Sequence, residues 1–219
     1  AGLQMAAISL ADSPDHESFV QQFAGSHRYV ADYLIAEVFA RQPLERQMFL
    51  LKTSILDRFN LDLCQAVTGE TKCAEILAQL EQANLFLIPL DVNRNWYRYH
   101  HLFRDFLHHQ VNREQPELAP QLCLRASHWF EQQDQTSEAI VMALNASAYD
   151  RAADLIENNA QSTIRQYGQW FTLLKWLEEL PAILIQARPH LCLHYAWVLF
   201  TDHRVQEAEA WLQSAEQGV

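Results

Sequence analysis

A chain of 219 residues, almost half of them apolar, can bury one or two hydrophobic cores. Its 27 acidic and 16 basic side chains leave a net charge of −11, which excludes a nucleic-acid surface spread along the chain. Five glycines and seven prolines amid abundant Leu, Ala, Gln and Glu point to a mostly α protein.

Three regions separate. Residues 1–26 read as the end of a helix plus a linker. Leu3–Leu10 is apolar but too short to span a bilayer, no signal peptide is visible, and Ala1 opens in mid-pattern, as in a segment of something longer. Pro14, with Asp and Ser around it, stops the first helix, and Gly25-Ser26 ends the turns carrying Phe19, Val20 and Phe23.

Residues 27–113 hold several short helices and one hairpin. Tyr29–Arg41 carries Tyr33, Leu34, Val38 and Phe39 on one stripe, and Pro43 suits the first turn of the next helix, whose apolar face is Met48, Phe49, Leu50, Leu51 and Ile55. Asn60–Val67 predicts a shorter helix ending near Gly69, and Thr71 opens another to about Ala83 on Cys73, Ile76, Leu77 and Leu80. The period then changes. Leu85–Leu90 reads as a strand, Asp91–Asn95 as a turn and Trp96–Tyr99 as a second strand. That order is a winged-helix pattern. The second strand runs straight into a helix on Leu102, Phe103, Phe106 and Leu107, with His100 at the junction. A helix N-terminus offers free N–H groups and partial positive charge, so the junction suits a phosphate, although a packed corner histidine satisfies the same pattern.

Residues 114–219 are helical throughout. Glu138-Ala139 and Glu207-Ala208 lie 69 positions apart, close to twice the ~34-residue tetratricopeptide period. Each follows an aromatic helix, Ala126–Phe130 and Tyr195–Phe200, and Asp150–Ile156 starts another. Small Ala opposite large aromatics is what stacked helix pairs need. Trp170, Phe171, Trp176, Tyr195, Trp197 and Trp211 are expected in the core, although Arg165, Tyr167 and their aromatic neighbours could line a binding surface.

Other chemistries find less support. His101, Asp105 and His108 or His109 share a helix face at metal-chelating spacing, but three local ligands on a polar face read as solvated, so no metal is expected. A DNA-reading helix at Thr71–Ala83 would carry Lys72 against Glu75 and Glu81, with only Arg94 and Arg98 on the wing. No GxSxG or HExxH occurs. Cys64, Cys73, Cys123 and Cys192 form no CxxC pair and read as reduced core thiols of a cytoplasmic protein.

The run from Tyr29 through Gln110 resembles the winged-helix segment of the large ATP-dependent, MalT-like LuxR-type transcriptional regulators, which are signal-transduction NTPases with numerous domains. The resemblance rests on Phe49–Leu56, Leu80–Leu87 and, most specifically, Tyr97–Leu107. Ala1–Leu10 resembles the end of their ATPase lid, and Ala126–Phe130 with Glu138–Ile140 resembles the start of their helical-repeat sensor. It implies three parts: a lid end and linker over 1–26, a winged-helix switch over 27–113, and tetratricopeptide-like repeats over 114–219. It further implies ADP or ATP with magnesium in the full-length protein, held by an upstream nucleotide-binding core. Tyr99-His100-His101-Leu102 overlays the relatives' Met-His-Asp-Leu, which makes His100 the contact to the nucleotide phosphate, with His101 standing where they have Asp. The chain carries no GxxxxGK[ST] loop, so it is not expected to hydrolyse ATP unaided.

The expectation is therefore an internal regulatory fragment, not itself an enzyme. It would couple an effector on the repeats to the nucleotide switch, reach DNA only through a helix-turn-helix it does not contain, and involve no membrane. The cut ends of a repeat array make self-association plausible. The alternative is a stand-alone helical-repeat protein-interaction module.

Overall fold

The computed structural model describes residues 35–83, 86–167 and 170–217. The expected lid end and linker, and the first turn of the helix from Tyr29, lie outside the described residues. So do the backbone of Asn84-Leu85 and the side chains of Arg165 and Tyr167. The chain divides into two compact units, the first ending at Ala119 and the second running from Pro120.

The first unit is a winged helix. After a helical stretch over residues 35–40 come α1 (Leu44–Thr53), α2 (Leu61–Thr68) and α3 (Cys73–Gln82). The hairpin β1 (Leu87–Pro89) and β2 (Tyr97–Tyr99) follows, then α4 (His101–Glu114). Pro43 caps α1 from just outside it rather than standing in its first turn. Asn60 caps α2 by accepting the Leu63 N–H at 2.8 Å, and Gly69 closes it in the left-handed region at φ 72°.

The strands pair antiparallel, Leu87 opposite Tyr99. On its other edge β2 exchanges two 2.8 Å backbone bonds between Tyr97 and Phe59. β2 is therefore held from both sides. Asp91 closes the wing turn by accepting the N–H groups of Asn95 and Trp96, which hold its carboxyl below the usual carboxylate range. Arg94, at φ 53°, ties the wing to α3 through Glu81 at 2.6 Å.

Alternation along β2 buries Tyr97 and Tyr99 and exposes Arg98. Tyr99 lies against Phe59 and Phe103, with ring centroids at 4.7 and 5.8 Å. Its Oη meets Thr53 Oγ1 at 2.7 Å, while Thr53 Oγ1 donates to the Phe49 carbonyl. Tyr99 must then be the donor. α4 packs on α1 through Phe103, Leu107 and Val111. Leu102, expected on that stripe, is 38% exposed, because a helix that buries 103, 107 and 111 turns 102 outward.

The second unit stacks antiparallel helices: α5 (Leu118–Gln132), α6 (Thr136–Asn145), α7 (Tyr149–Tyr167), α8 (Trp170–Glu179), α9 (Ala182–Gln186), α10 (Pro189–Thr201) and α11 (Val205–Gln217). Pro120 lies within α5. The α5–α6 and α10–α11 turns are built alike. The Gln135 N–H returns to Phe130 O at 2.9 Å and the Arg204 N–H to Leu199 O at 2.9 Å, around left-handed Asp134 and His203. Those two residues again stand 69 positions apart (134 to 203), as do buried Ala139 and Ala208. These are helical repeats, with the five-residue α9 inserted between the matching pairs.

Three arginines tie later helices to earlier ones. Arg151 of α7 reaches Ser127 Oγ (3.0 Å) and Glu131 (2.6 Å) on α5. Arg188 reaches Asp154 and Glu157 of α7, and Arg204 joins Glu178 of α8 to Glu207 of α11. Of the aromatics expected inside, Trp176 and Tyr195 are buried. Phe171 (54% exposed), whose ring on α8 carries the Lys175 ammonium at 4.7 Å, is not. Nor is Trp197 (44%), because α10 is apolar on nearly every side and only one side is covered. All four cysteines are free and buried, and burial pushes the Cys123 thiol up to about 11. Among the described residues no helix is long and apolar enough to cross a membrane.

Three outcomes follow for stability. Asp134, Ser147 and His203 adopt φ of 55°, 54° and 62°, where a Cβ is strained. Replacing any one with Gly should stabilise by about 0.5–1 kcal/mol in thermal unfolding. Gly69→Ala, with open space around the new Cβ but φ of 72°, should cost about 1 kcal/mol. Tyr99→Phe should cost about 1 kcal/mol in urea unfolding, since Thr53 keeps its bond to Phe49.

Candidate functional site

The junction of β2 and α4 is where the sequence placed its site residue. The backbone there is fixed before the helix starts. The His100 N–H donates to the Phe86 carbonyl at 2.8 Å, extending the β1–β2 ladder by one bond, and the His100 carbonyl accepts the Arg104 N–H at 3.0 Å. Phe86 bends back with φ 54°, and its ring packs on Phe103 at 4.6 Å.

His100 is the N-cap residue of α4, at φ −58° and ψ 137°, but its side chain makes no capping bond. Helix N-termini commonly carry Ser, Thr, Asp or Asn, whose oxygen accepts first-turn N–H groups. An imidazole in this position leaves those donors to something else. No acidic residue stands in the first turn of α4, so its positive end is uncompensated from within the helix.

Among the described residues, His100 Nδ1 is buried and has no hydrogen-bond partner. Burial, then the neighbouring His101 ring, with Arg98 adding to both, holds the His100 imidazole below its usual value. The His101 ring lies 4.4 Å from that of His100, inclined at 32°, and is itself exposed. A buried ring nitrogen without a partner, at the positive end of a helix, suits an anion's oxygen. These residues fit a phosphate group.

The surrounding charges are mostly spent. Arg104 pairs with Asp57, and Arg58 lies over the Trp96 ring at 4.9 Å. His108 places Nε2 2.6 Å from the Ser54 carbonyl, which ties α4 to the end of α1 and removes that nitrogen from the metal-chelating set. Among the described residues no group of three or more His, Cys, Asp or Glu is placed to hold a metal ion. On the face a DNA reader would use, Lys72 pairs with Glu45 at 3.5 Å and Arg94 with Glu81. An open cleft of about 580 Å³ beside α1 is lined by Met48, Lys52, Gly69 and Lys72, but Lys52 is bound to Glu70 at 2.7 Å.

Sequence reasoning located His100 but missed its surroundings. The Phe86 carbonyl that sets its backbone is a main-chain atom and leaves no residue signal. The histidine pair was visible as adjacent letters, but neighbouring residues at a helix start do not normally face each other, and nothing in the spacing gives two rings 4.4 Å apart.

Comparison with known proteins agrees with the winged-helix fold. The MalT winged helix domain matches residues 35–119. Over 197 residues, 90% of this chain, it is 31% identical to the serine/threonine-protein kinase PknK of Mycobacterium tuberculosis, covering 18% of that protein. It is 31% identical over 217 residues to the HTH-type transcriptional regulator MalT of Klebsiella pneumoniae, 98% of this chain and 24% of that one. The MalT of Vibrio parahaemolyticus is 30% identical over 198 residues, 90% of this chain and 22% of that one. The chain thus spans about a fifth to a quarter of the length of the curated relatives it matches. With a winged helix, helical repeats and this similarity along nearly its whole length, the chain resembles a segment of the MalT-like regulators, and its residues 35–119 carry a MalT winged helix domain.

Proposed function

We propose that this chain is the internal switch segment of an ATP-dependent LuxR-type regulator of the signal-transduction NTPase class. Its winged helix docks on an upstream nucleotide-binding core and senses the nucleotide through His100. Its tetratricopeptide-like repeats receive a small-molecule or protein effector. The observation that carries the reading is the buried, unpartnered Nδ1 of His100 at the uncapped start of α4. ADP or ATP with magnesium supplies the phosphate charge. His100 donates from Nδ1 to a phosphate oxygen, and the first-turn N–H groups of α4 add their partial positive charge.

Function then follows from coupling. An effector that favours one docking of the winged helix changes nucleotide affinity by the same factor as nucleotide changes effector affinity. A bias of a few kcal/mol on a two-state interface is sufficient. Output lies elsewhere in the polypeptide, with DNA reached through a C-terminal helix-turn-helix and self-association in the ATP state. Similarity of the same segment to proteins named as regulators and to one named as a kinase supports a module separate from the output it controls. No catalytic residue is assigned in this chain, and the reading places it in the cytoplasm.

A second reading has its own observation. Leu193, Trp197 and Phe200 recur at i, i+4 and i+7 along α10 and are all exposed, an apolar stripe suited to a protein-interaction module.

The test is to purify the intact native polypeptide, denature it and identify released nucleotide by chromatography. Near-stoichiometric ADP is expected, falling at least about tenfold in His100→Ala, the loss of one charge-assisted phosphate bond. Retention unchanged in that variant would remove the role of His100. A protein that never carries nucleotide would leave the interaction module as the better reading.

A further inference from the structure

Two imidazoles, not one, stand at the start of α4. Their rings lie 4.4 Å apart at 32°, close enough that two positive charges would repel strongly. The groups around them add to that repulsion. Arg98 precedes them on β2, and the positive end of α4 lies beneath them. Arg104 is already paired with Asp57, and exposed Asp105 stands one helical turn beyond His101. With no anion present, a protonated pair is unfavourable, and the buried Nδ1 of His100 keeps no partner among the described residues.

We propose that His100 and His101 together form a proton-linked phosphate site, in which binding of the nucleotide's terminal phosphate draws a proton onto the pair. This rests on the nucleotide reading above and adds a second residue and a pH dependence to it. A phosphate dianion reverses the sign of the local field. It supplies a counter-charge to the two rings, Arg98 and the helix terminus. Sharing it, the rings gain rather than lose by protonation, and both nitrogens of a protonated ring become donors.

The direction of the pH effect follows from the sign of the shift. Burial first, then His101 and Arg98, depress the His100 value in the empty site. The phosphate raises it in the filled site. Added affinity is therefore fully present below the empty-site value and is lost as pH rises through the filled-site value. Uptake of one proton sets a limit of about tenfold per pH unit between the two. Ionisation of the phosphate itself works the other way, since its charge grows as pH rises through about 6. A loss of retention on raising pH thus belongs to the protein.

The experiment follows release of a fluorescent ADP analogue from the intact polypeptide, chased with excess ADP, from pH 6 to 8.5 at constant ionic strength. Wild type, His101→Gln and His100→Gln are compared, with thermal unfolding confirming that each folds. His101 is exposed, so its replacement leaves the core untouched. Release from wild type should quicken by about fivefold or more across the range, within the one-proton limit. His101→Gln should release faster than wild type at pH 6 and show a flatter profile. ADP held tightly by wild type with a flat profile, or an identical slope in His101→Gln, would overturn the proton-linked pair while leaving the phosphate contact of His100 in place. No analogue bound at any pH would overturn both.

Discussion

The hydrogen bond from the His100 N–H to the Phe86 carbonyl is the constraint on which the junction depends. It fixes the backbone of His100 before α4 begins, so the helix can start without a side-chain cap. A capping oxygen normally both satisfies first-turn donors and sets the entry angle of the chain. Here β2 sets the entry angle instead. The ladder to β1 holds one edge and the Phe59–Tyr97 exchange holds the other. Tyr99 is anchored beneath by Phe59, Phe103 and Thr53. The His100 side chain is thereby left without a capping role, and it leaves the first-turn donors of α4 uncapped.

Much of this was legible in the sequence because local chemistry and global fold agree. Asn60 and Gly69 bracket α2 as a cap and a left-handed closure, and the alternation of Tyr97, Arg98 and Tyr99 reads directly as buried, exposed, buried. The 69-residue echo reappears as matching turns at Asp134 and His203. What was not legible depended on which side of a uniformly apolar element meets a neighbour. Leu102 belongs to an apolar run, but packing of α4 on α1 chooses Phe103, Leu107 and Val111. Trp197 and Phe200 look like core residues on an all-apolar helix, but packing of α10 on α8 and α11 chooses Leu191, Tyr195, Val198 and Leu199. At the site itself, His100 stood out in the sequence because it sits at the junction of a strand and a helix and overlays the histidine of the relatives' motif. Its orphaned nitrogen could not be found, since the absence of a partner is a property of the whole neighbourhood.

In the repeat unit polar bonds set register where alanines allow approach. Ala139, Ala143, Ala152 and Ala153 are buried at the helix crossings. Ser127 donates to the Ala139 carbonyl at 2.7 Å and accepts from Arg151, so one buried hydroxyl joins α5, α6 and α7. Arg188 and Arg204 repeat the device at later helices. Their partners are half exposed, so each ion pair contributes little to stability. Their value lies in geometry, because a guanidinium fork accepts only a narrow range of carboxylate positions. A stack registered by such forks can shift between discrete arrangements instead of deforming smoothly, which is what a sensor requires.

Under the proposed nucleotide reading, burial explains why a histidine holds the junction rather than the arginine common at phosphate sites. A guanidinium stays charged at any ordinary pH, and a buried charge without a counterion costs several kcal/mol. An arginine at position 100 would make the empty site unstable and bias the unit toward permanent occupancy. An imidazole can be neutral when the site is empty and charged when it is filled, so both states remain within reach of one another. The orphaned Nδ1 then costs only the desolvation of one neutral polar atom, about 1–3 kcal/mol. That is comparable to the coupling energies that carry allosteric signals, typically about 1–3 kcal/mol. In the proposed switch, the cost of the unpartnered nitrogen is thus of the same order as the signal it would carry.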